Sequence, residues 1–199
     1  MRFIGDVHCK FDKYLEILEG TDGPTIQVGD FGVGFPDQPE DFLRDMLGYM
    51  SSHDHSFILG NHDNPHFSAQ FPCFLKSGTS IEDIFVVGGA QSIDFAQRKE
   101  GIDWWKEEQH TYDEFGDLLE LYEAAKPRIM VTHDIPYGLI PHIFPKSHPF
   151  KSITGQALDM FFSVHKPDIW VFGHWHRSVD KTILGTRFIC LNELEVIDI

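Results

Sequence analysis

Gly60-Asn61-His62-Asp63 stands directly behind an apolar run, Ser56-Phe57-Ile58-Leu59. The run has the length and composition of a short buried strand, so the polar residues fall where that strand leaves a core. Asn61 offers a neutral carbonyl oxygen to a metal. His62 offers a proton near neutral pH, and Asp63 can hold an imidazole in one tautomer. Taken alone, such a tetrapeptide is more often a turn than a reaction centre. The other strand ends reverse that judgement.

The same punctuation recurs along the chain. Arg2-Phe3-Ile4 runs into Gly5-Asp6-Val7-His8, and Thr25-Ile26-Gln27-Val28 into Gly29-Asp30. Arg128-Ile129-Met130-Val131 ends in Thr132-His133, and Ile169-Trp170-Val171-Phe172 in Gly173-His174-Trp175-His176. In all but one of these a Gly separates strand from polar group, where a tight turn or a close backbone approach needs no Cβ. Polar groups gathered at the ends of buried strands are costly without partners. A metal centre accounts for them together.

The order Asp-x-His, Gly-Asp, Gly-Asn-His-Asp, a lone His and Gly-His-x-His, from Gly5 to His176, resembles the signature of the calcineurin-like metallophosphoesterase superfamily. The resemblance implies an α/β chain (α+β by some schemes) of two stacked β-sheets flanked by helices, in four layers. It implies that Asp6, His8, Asp30 and His176 hold one metal and that Asp30, Asn61, His133 and His174 hold the other, with Asp30 bridging. Mixed oxygen and nitrogen ligands without thiolate suit two divalent transition-metal ions, Mn²⁺ first and Fe, Zn²⁺ or Ni²⁺ as alternatives, better than Ca²⁺. Two such ions can clamp a phosphoryl group and lower the pKa of a bound water, which on this resemblance would attack phosphorus. His62 then serves the leaving oxygen as proton donor, and Asp63 is its expected orienting partner.

Composition narrows the class. The chain has 199 residues, 42% of them hydrophobic, which suits one well-buried domain spanning 1–199. The net charge of −15 argues against gripping duplex nucleic acid, which calls for a basic patch, and favours a small phosphorylated substrate, possibly a nucleotide. No apolar run reaches membrane-spanning length. Met1 leads straight into the first expected strand, leaving no room for a signal peptide. Three cysteines without regular spacing fit a reducing cytosol (the host's, for a phage-encoded chain) rather than a disulfide framework.

Helices are expected at Lys10–Glu19, at Pro39–Met50 with Phe42, Met46, Leu47 and Met50 inward, at Tyr112–Ala125 and at Gly155–His165. Ile84–Val87 reads as a further buried strand, and Lys181–Leu184, Thr186–Leu191 and Glu195–Ile199 as closing strands. Two departures from the family stand out. Cys9 follows His8 where a Gly is usual, and reads as a bystander thiol. Val33 and Gly34 stand where phosphatase members continue Gly-Asp-x-x-Asp-Arg, so that phosphate clamp is missing.

Gln91–Glu108 resembles a Gly-Gly-Ala … Ser-x-Asp … Arg … Trp-Trp-x-x-Glu pattern of small bacterial and phage members. On that resemblance the segment overhangs the metals, Arg98 replaces the missing clamp, and Trp104 or Trp105 stacks on a base or aromatic leaving group. The competing expectation is that the tryptophans only pin the loop to the domain. The Pro- and aromatic-rich stretch 136–154, holding His142 and His148, is expected as a second loop wall that shapes the substrate. The histidines outside the motifs, His53 and His55 among them, are expected on the surface, and His66, four positions after His62, is the one to watch.

Three functions compete. A hydrolase of small phosphodiesters or nucleotides leads, followed by a protein or nucleotide phosphomonoesterase. A non-catalytic scaffold is the third, and the intact His62, Asp63 and ligand set argue against it.

Overall fold

The structure, a computed structural model, describes residues 1–147 and 150–199, so His148 lies outside the described residues. Strands β1 (Arg2–Ile4), β2 (Thr25–Gln27) and β3 (His55–Phe57) are connected by helices α1 (Phe11–Glu19) and α2 (Glu40–Ser52). These crossovers let the three strands pair in parallel. The chain then runs through α3 (Pro65–Ser68), β4 (Ser80–Ile81), β5 (Ile84–Val87), α4 (Tyr112–Ala125) and β6 (Ile129–Thr132). It continues through α5 (Ile140–Ile143), α6 (Ile153–Val164), β7 (Ile169–Phe172), β8 (Val179–Ile183), β9 (Thr186–Cys190) and β10 (Val196–Asp198).

Two sheets result. One has the order β10-β1-β2-β3, with β10 antiparallel to β1 and Phe3 opposite Ile197. The other has the order β4-β5-β6-β7-β9-β8, its four central strands parallel and its two edges antiparallel. Side chains alternate across each strand, which divides the apolar residues among three cores. Phe3, Ile26, Ile58, Ile84, Val86, Ile129, Val131 and Val171 fill the space between the sheets. Ile4 and Phe57 turn outward onto α1 and α2. Phe85, Met130, Trp170 and Phe172 turn outward onto α4, α5 and α6. The layers are therefore helix, sheet, sheet, helix, as expected. Each fully buried side chain of this size contributes about 1.5–3 kcal/mol, so the inter-sheet layer is a large share of what holds the halves together.

Some expectations shift. Phe42 does not point inward; it is 37% exposed, because α2 starts at Glu40 and Leu43 takes the core-facing position. His55 is buried in β3 beside Thr25, with Nδ1 3.3 Å from the hydroxyl, instead of lying on the surface. The last helix begins two residues early, at Ile153, because the Ser152 hydroxyl accepts the Gly155 N–H and caps it. Within stretch 136–154, Ile140–Ile143 form α5 and Phe144 is buried in the outer core. No helix among the described residues is long and apolar enough to cross a membrane.

Candidate metal centre

The parallel strands of both sheets end on one edge of the sandwich, and the polar residues behind them meet there. Asp6 follows β1, Asp30 follows β2, Asn61 follows β3, His133 follows β6, and His174 and His176 follow β7. Each arrives by a sharp turn. His8, Asp30, His174 and His176 all adopt left-handed backbone, with φ of 46°, 55°, 65° and 47°. Non-glycine residues reach that region at a cost, and such strain gathers at functional sites. The glycines beside them have a steric reason. A Cβ on Gly60 would strike the backbone and carboxylate of Asp30, and one on Gly173 would strike the carboxylate of Asp6.

Two donor groups form. Asp6, His8, Asp30 and His176 make one, Asp30, His133 and His174 the other, and within each group the donor atoms lie within 4.8 Å of one another. Asp30 serves both. Its Oδ2 is 3.6 Å from His8 Nε2, and its Oδ1 is 3.1 Å from His133 Nε2. His8 and His176 point their Nε2 atoms at each other across 3.0 Å, and His176 Nε2 lies 3.4 Å from Asp6 Oδ2.

Donors facing one another at this spacing fit cations. Asn61 Oδ1 is buried without a hydrogen-bond partner among the described residues, and such orphans are rare in native interiors. Charge tells the same story. Burial and the neighbouring Asp30 push the Asp6 carboxyl up to about 8, although His133 opposes them. Burial would lower His133, yet Asp30 outweighs it and raises the imidazole to about 10. Buried carboxylates set this close together favour positive charge beside them, which a bound cation would supply. The donor set fits divalent metal ions.

A surrounding layer aims these donors. His133 Nδ1 donates to Val28 O at 2.9 Å, which leaves Nε2 for a metal. His176 Nδ1 is 3.3 Å from Glu193 Oε1, and Glu193 is in turn paired with Lys10. Asn61 Nδ2 donates to Ser92 Oγ at 3.2 Å, and Ser92 donates its hydroxyl to Glu108 Oε2 at 2.7 Å. Trp175, between the two histidines of Gly-His-x-His, stacks on Phe144 at 4.5 Å and donates Nε1 to Asp134 at 3.0 Å. Glu193, Ser92 and Glu108 were given no role from sequence.

His62 sits over the first donor group, its ring centroid 5.3 Å from that of His8, and its backbone N–H donates to Asp30 Oδ1 at 2.7 Å. Asp63 is not its partner. The Asp63 carboxylate is fully buried and accepts N–H groups from Gly60 at 2.8 Å and Gly32 at 2.6 Å, which knits the two turns together. Buried amides have first claim on that carboxylate. The group at the His62 ring is Arg98, whose terminal nitrogens lie 3.2 Å from Nδ1 and 3.2 Å from Nε2. Asp94 holds Arg98 from behind at 2.9 Å. Burial lowers the His62 pKa; Asp30 opposes this and Arg98 adds to it.

A cleft of about 350 Å³ opens on the centre, lined by Asp30, Asn61, His62, Ile93, Arg98 and His176 among others. Neither tryptophan lines it. Trp105 is 5% exposed and packs edge-on to Phe35 at 5.5 Å, and Trp104 packs against Phe95 at 5.8 Å. Both pin the loop. Ile93, 76% exposed, supplies the apolar wall instead. Gly34, at the position of the Arg in that pattern, has no side chain and Val33 beside it is fully buried, so this turn brings no cation to the cleft. His66 stands outside, exposed and 3.9 Å from Glu107. Cys9 points its thiol at Gly32 O, 3.1 Å away, rather than at the donors.

The fold has counterparts among solved structures. A putative 5′-nucleotidase from Staphylococcus aureus, solved with α-ketoglutarate, superposes with a TM-score of 0.55 at 14% identity. The superposition covers 98% of this chain and 49% of the nucleotidase, so the chain spans about half of that protein's length. A Thermotoga maritima protein solved by NMR is also similar, with a TM-score of 0.41 at 17% identity over 100% of this chain and 91% of that one. The Thermus thermophilus sulfate thiohydrolase SoxB, in complex with glycerol, gives 0.46 at 10% identity over 94% of this chain and 36% of its own. No protein with curated function matches the chain in sequence. The family model of the calcineurin-like phosphoesterases matches residues 2–178. Motif order, layer architecture and family match agree: the chain belongs to the calcineurin-like phosphoesterase family.

Proposed function

We propose that residues 1–199 act as one catalytic unit that hydrolyses small phosphoesters at a two-metal centre, phosphodiesters and nucleotide-type diesters in preference to monoesters. The shared carboxylate carries the reading: Asp30 aims one oxygen at each donor group. Asp6, His8, Asp30 and His176 would hold one ion, and Asp30, Asn61, His133 and His174 the other. Manganese is the proposed metal, because the donors are oxygen and nitrogen without thiolate. Bound there, the ions supply Lewis-acid polarisation of the phosphoryl group and activation of a water. A reducing cytosol is the proposed setting, since Cys9, Cys73 and Cys190 are all unpaired.

The protein's own groups do the rest. His62 stands at the mouth of the donor groups and offers a proton, or an N–H donor, to the leaving oxygen. Arg98 keeps that ring in place and faces the cleft, where it balances charge developing on the substrate. Asp63 holds the Gly60 and Gly32 turns in register, so that Asn61 and His62 emerge in the right directions.

The diester preference follows from charge and surface. A monoester is nearly a dianion at neutral pH and gains most from cations beyond the metals, yet the Gly32–Gly34 turn offers none. The chain's charge of −15 also raises the cost of drawing in a dianion. A diester carries one charge, and its second substituent can rest on Ile93. The phosphomonoesterase reading has one observation in its favour, which is that Arg98 faces the cleft. Comparing bis-p-nitrophenyl phosphate with p-nitrophenyl phosphate under Mn²⁺, in wild type and Arg98→Ala, decides between them. The expected result is a higher kcat/KM for the diester in both proteins. Equal or faster monoester turnover, abolished selectively by Arg98→Ala, establishes a phosphatase. Silence of the metal-loaded protein on both esters revives the scaffold.

A further inference from the structure

Ser92 and Glu108 belong to the Ser-x-Asp … Trp-Trp-x-x-Glu pattern, yet neither touches the cleft. Both side chains are 1% exposed. A carboxylate buried that deeply needs partners, and Ser92 supplies two of them: its N–H at 2.7 Å to Oε1 and its hydroxyl at 2.7 Å to Oε2. Burial raises the Glu108 carboxyl above its ordinary value, and the two hydrogen bonds from Ser92 oppose that and favour the carboxylate.

A role for this carboxylate is legible in the direction of the hydrogen bonds. An ionised carboxylate can only accept, so it takes the single proton of the Ser92 hydroxyl. That leaves Ser92 Oγ with lone pairs alone to present on its other side. Asn61 reaches Oγ at 3.2 Å, and only the NH₂ end of its amide can satisfy an acceptor. Its Oδ1 is thereby turned to the opposite side, where it has no protein partner. An asparagine amide is nearly symmetric in shape, and without such a constraint its two ends are interchangeable. One end can ligate a metal and the other cannot.

We propose that Glu108, acting through the Ser92 hydroxyl, is a positioning residue that fixes the Asn61 amide with its oxygen toward the second metal. This rests on the reading of Asn61 as a ligand. The same loop carries Arg98 onto the His62 ring, so the loop 91–108 grips the centre at two points, one on a metal ligand and one on the proton donor. Glu108→Gln keeps size and shape but brings an NH₂ that can donate to Ser92 Oγ. The hydroxyl is then free to turn its proton toward Asn61, and the wrong end of the amide is no longer excluded.

The test is Mn²⁺ binding, followed by titration calorimetry and by the spin-coupled EPR signal of an ion pair, with no substrate present. Ser92→Ala and Glu108→Gln are each expected to weaken the second ion by about 10–100-fold while the first binds as in wild type. Asn61→Ala should weaken the same ion at least as much. A double-mutant cycle separates positioning from general support: in an Asn61→Ala background, Ser92→Ala should cost little further affinity. If Asn61→Ala weakens the second ion and neither Ser92→Ala nor Glu108→Gln does, the relay is overturned and the ligand reading stands. A Ser92→Ala deficit that persists in full in the Asn61→Ala background also overturns the relay. If Asn61→Ala leaves both ions at wild-type affinity, the ligand reading fails and the relay falls with it.

Discussion

At the scale of single residues, His62 separates proton chemistry from coordination. Its backbone N–H is tied to Asp30, while its ring faces Arg98 and the cleft. His62→Ala should therefore keep both metals and the fold but lose roughly 10²-fold or more in kcat. The deficit should shrink with p-nitrophenolate, a leaving group that needs little proton help. Steady-state rates on esters of graded leaving-group pKa, together with metal content, check this. A wild-type rate on a poor leaving group would remove His62 from the mechanism. Asp63 shows how position overrides residue type. It lies next to His62 in sequence, yet its carboxylate is spent on the amides of Gly60 and Gly32, and it serves the site by shaping the turns.

Among the elements, α4 is the one whose start is written most clearly. Thr111 caps Glu114 N–H, and Glu114 reaches back to Thr111 N–H at 2.8 Å and to its hydroxyl at 2.9 Å, a reciprocal capping box. Thr111→Ala is expected to cost about 1 kcal/mol in urea denaturation. The Thr111 N–H, then its hydroxyl, hold the Glu114 carboxyl below its ordinary 4.5. A depressed carboxylate stabilises the fold fully above its unfolded pKa and loses that contribution as pH falls through the folded value. The stability difference between wild type and Glu114→Gln should therefore be present at neutral pH and shrink steadily below about pH 4.5. Glu114 is largely in water, so the difference should stay under about 1 kcal/mol. A gap that widens on acidification would contradict this assignment.

For the whole molecule, the donors come from both sheets: Asp6, His8, Asp30 and Asn61 from one, His133, His174 and His176 from the other. Ions held there would tie the sheets together at the edge where the strands end, adding to the apolar layer between them. Wild-type protein should carry about two ions per chain by elemental analysis after Mn²⁺ reconstitution. Chelation should then lower stability by about 2.7 kcal/mol or more where free metal had stood 100-fold above Kd. For a chain of this size that is a fall of about 5–10 °C in Tm. Asp30→Ala removes the shared ligand, so it should hold neither ion tightly and its Tm should be insensitive to chelator. At most one ion per wild-type chain would reject the shared-carboxylate centre.

The sequence by itself determined the donors and the layers. A buried parallel strand is a local apolar run, a sharp exit is a local Gly, and the ligand types stand directly behind them, so β1, β2, β3, β6 and β7 and the seven proposed ligands were all legible in order. The tertiary structure alone decided what each polar group is paired with. Arg98 meets His62 from 36 positions away, Ser92 meets Asn61 from 31, and His176 and Glu193 meet across the close of the chain. Trp105, expected near substrate, goes under Phe35 instead. Such pairings have no period and no motif. They are set by which buried donors and acceptors the packed loops leave to be satisfied, and that balance exists only once both sheets are assembled.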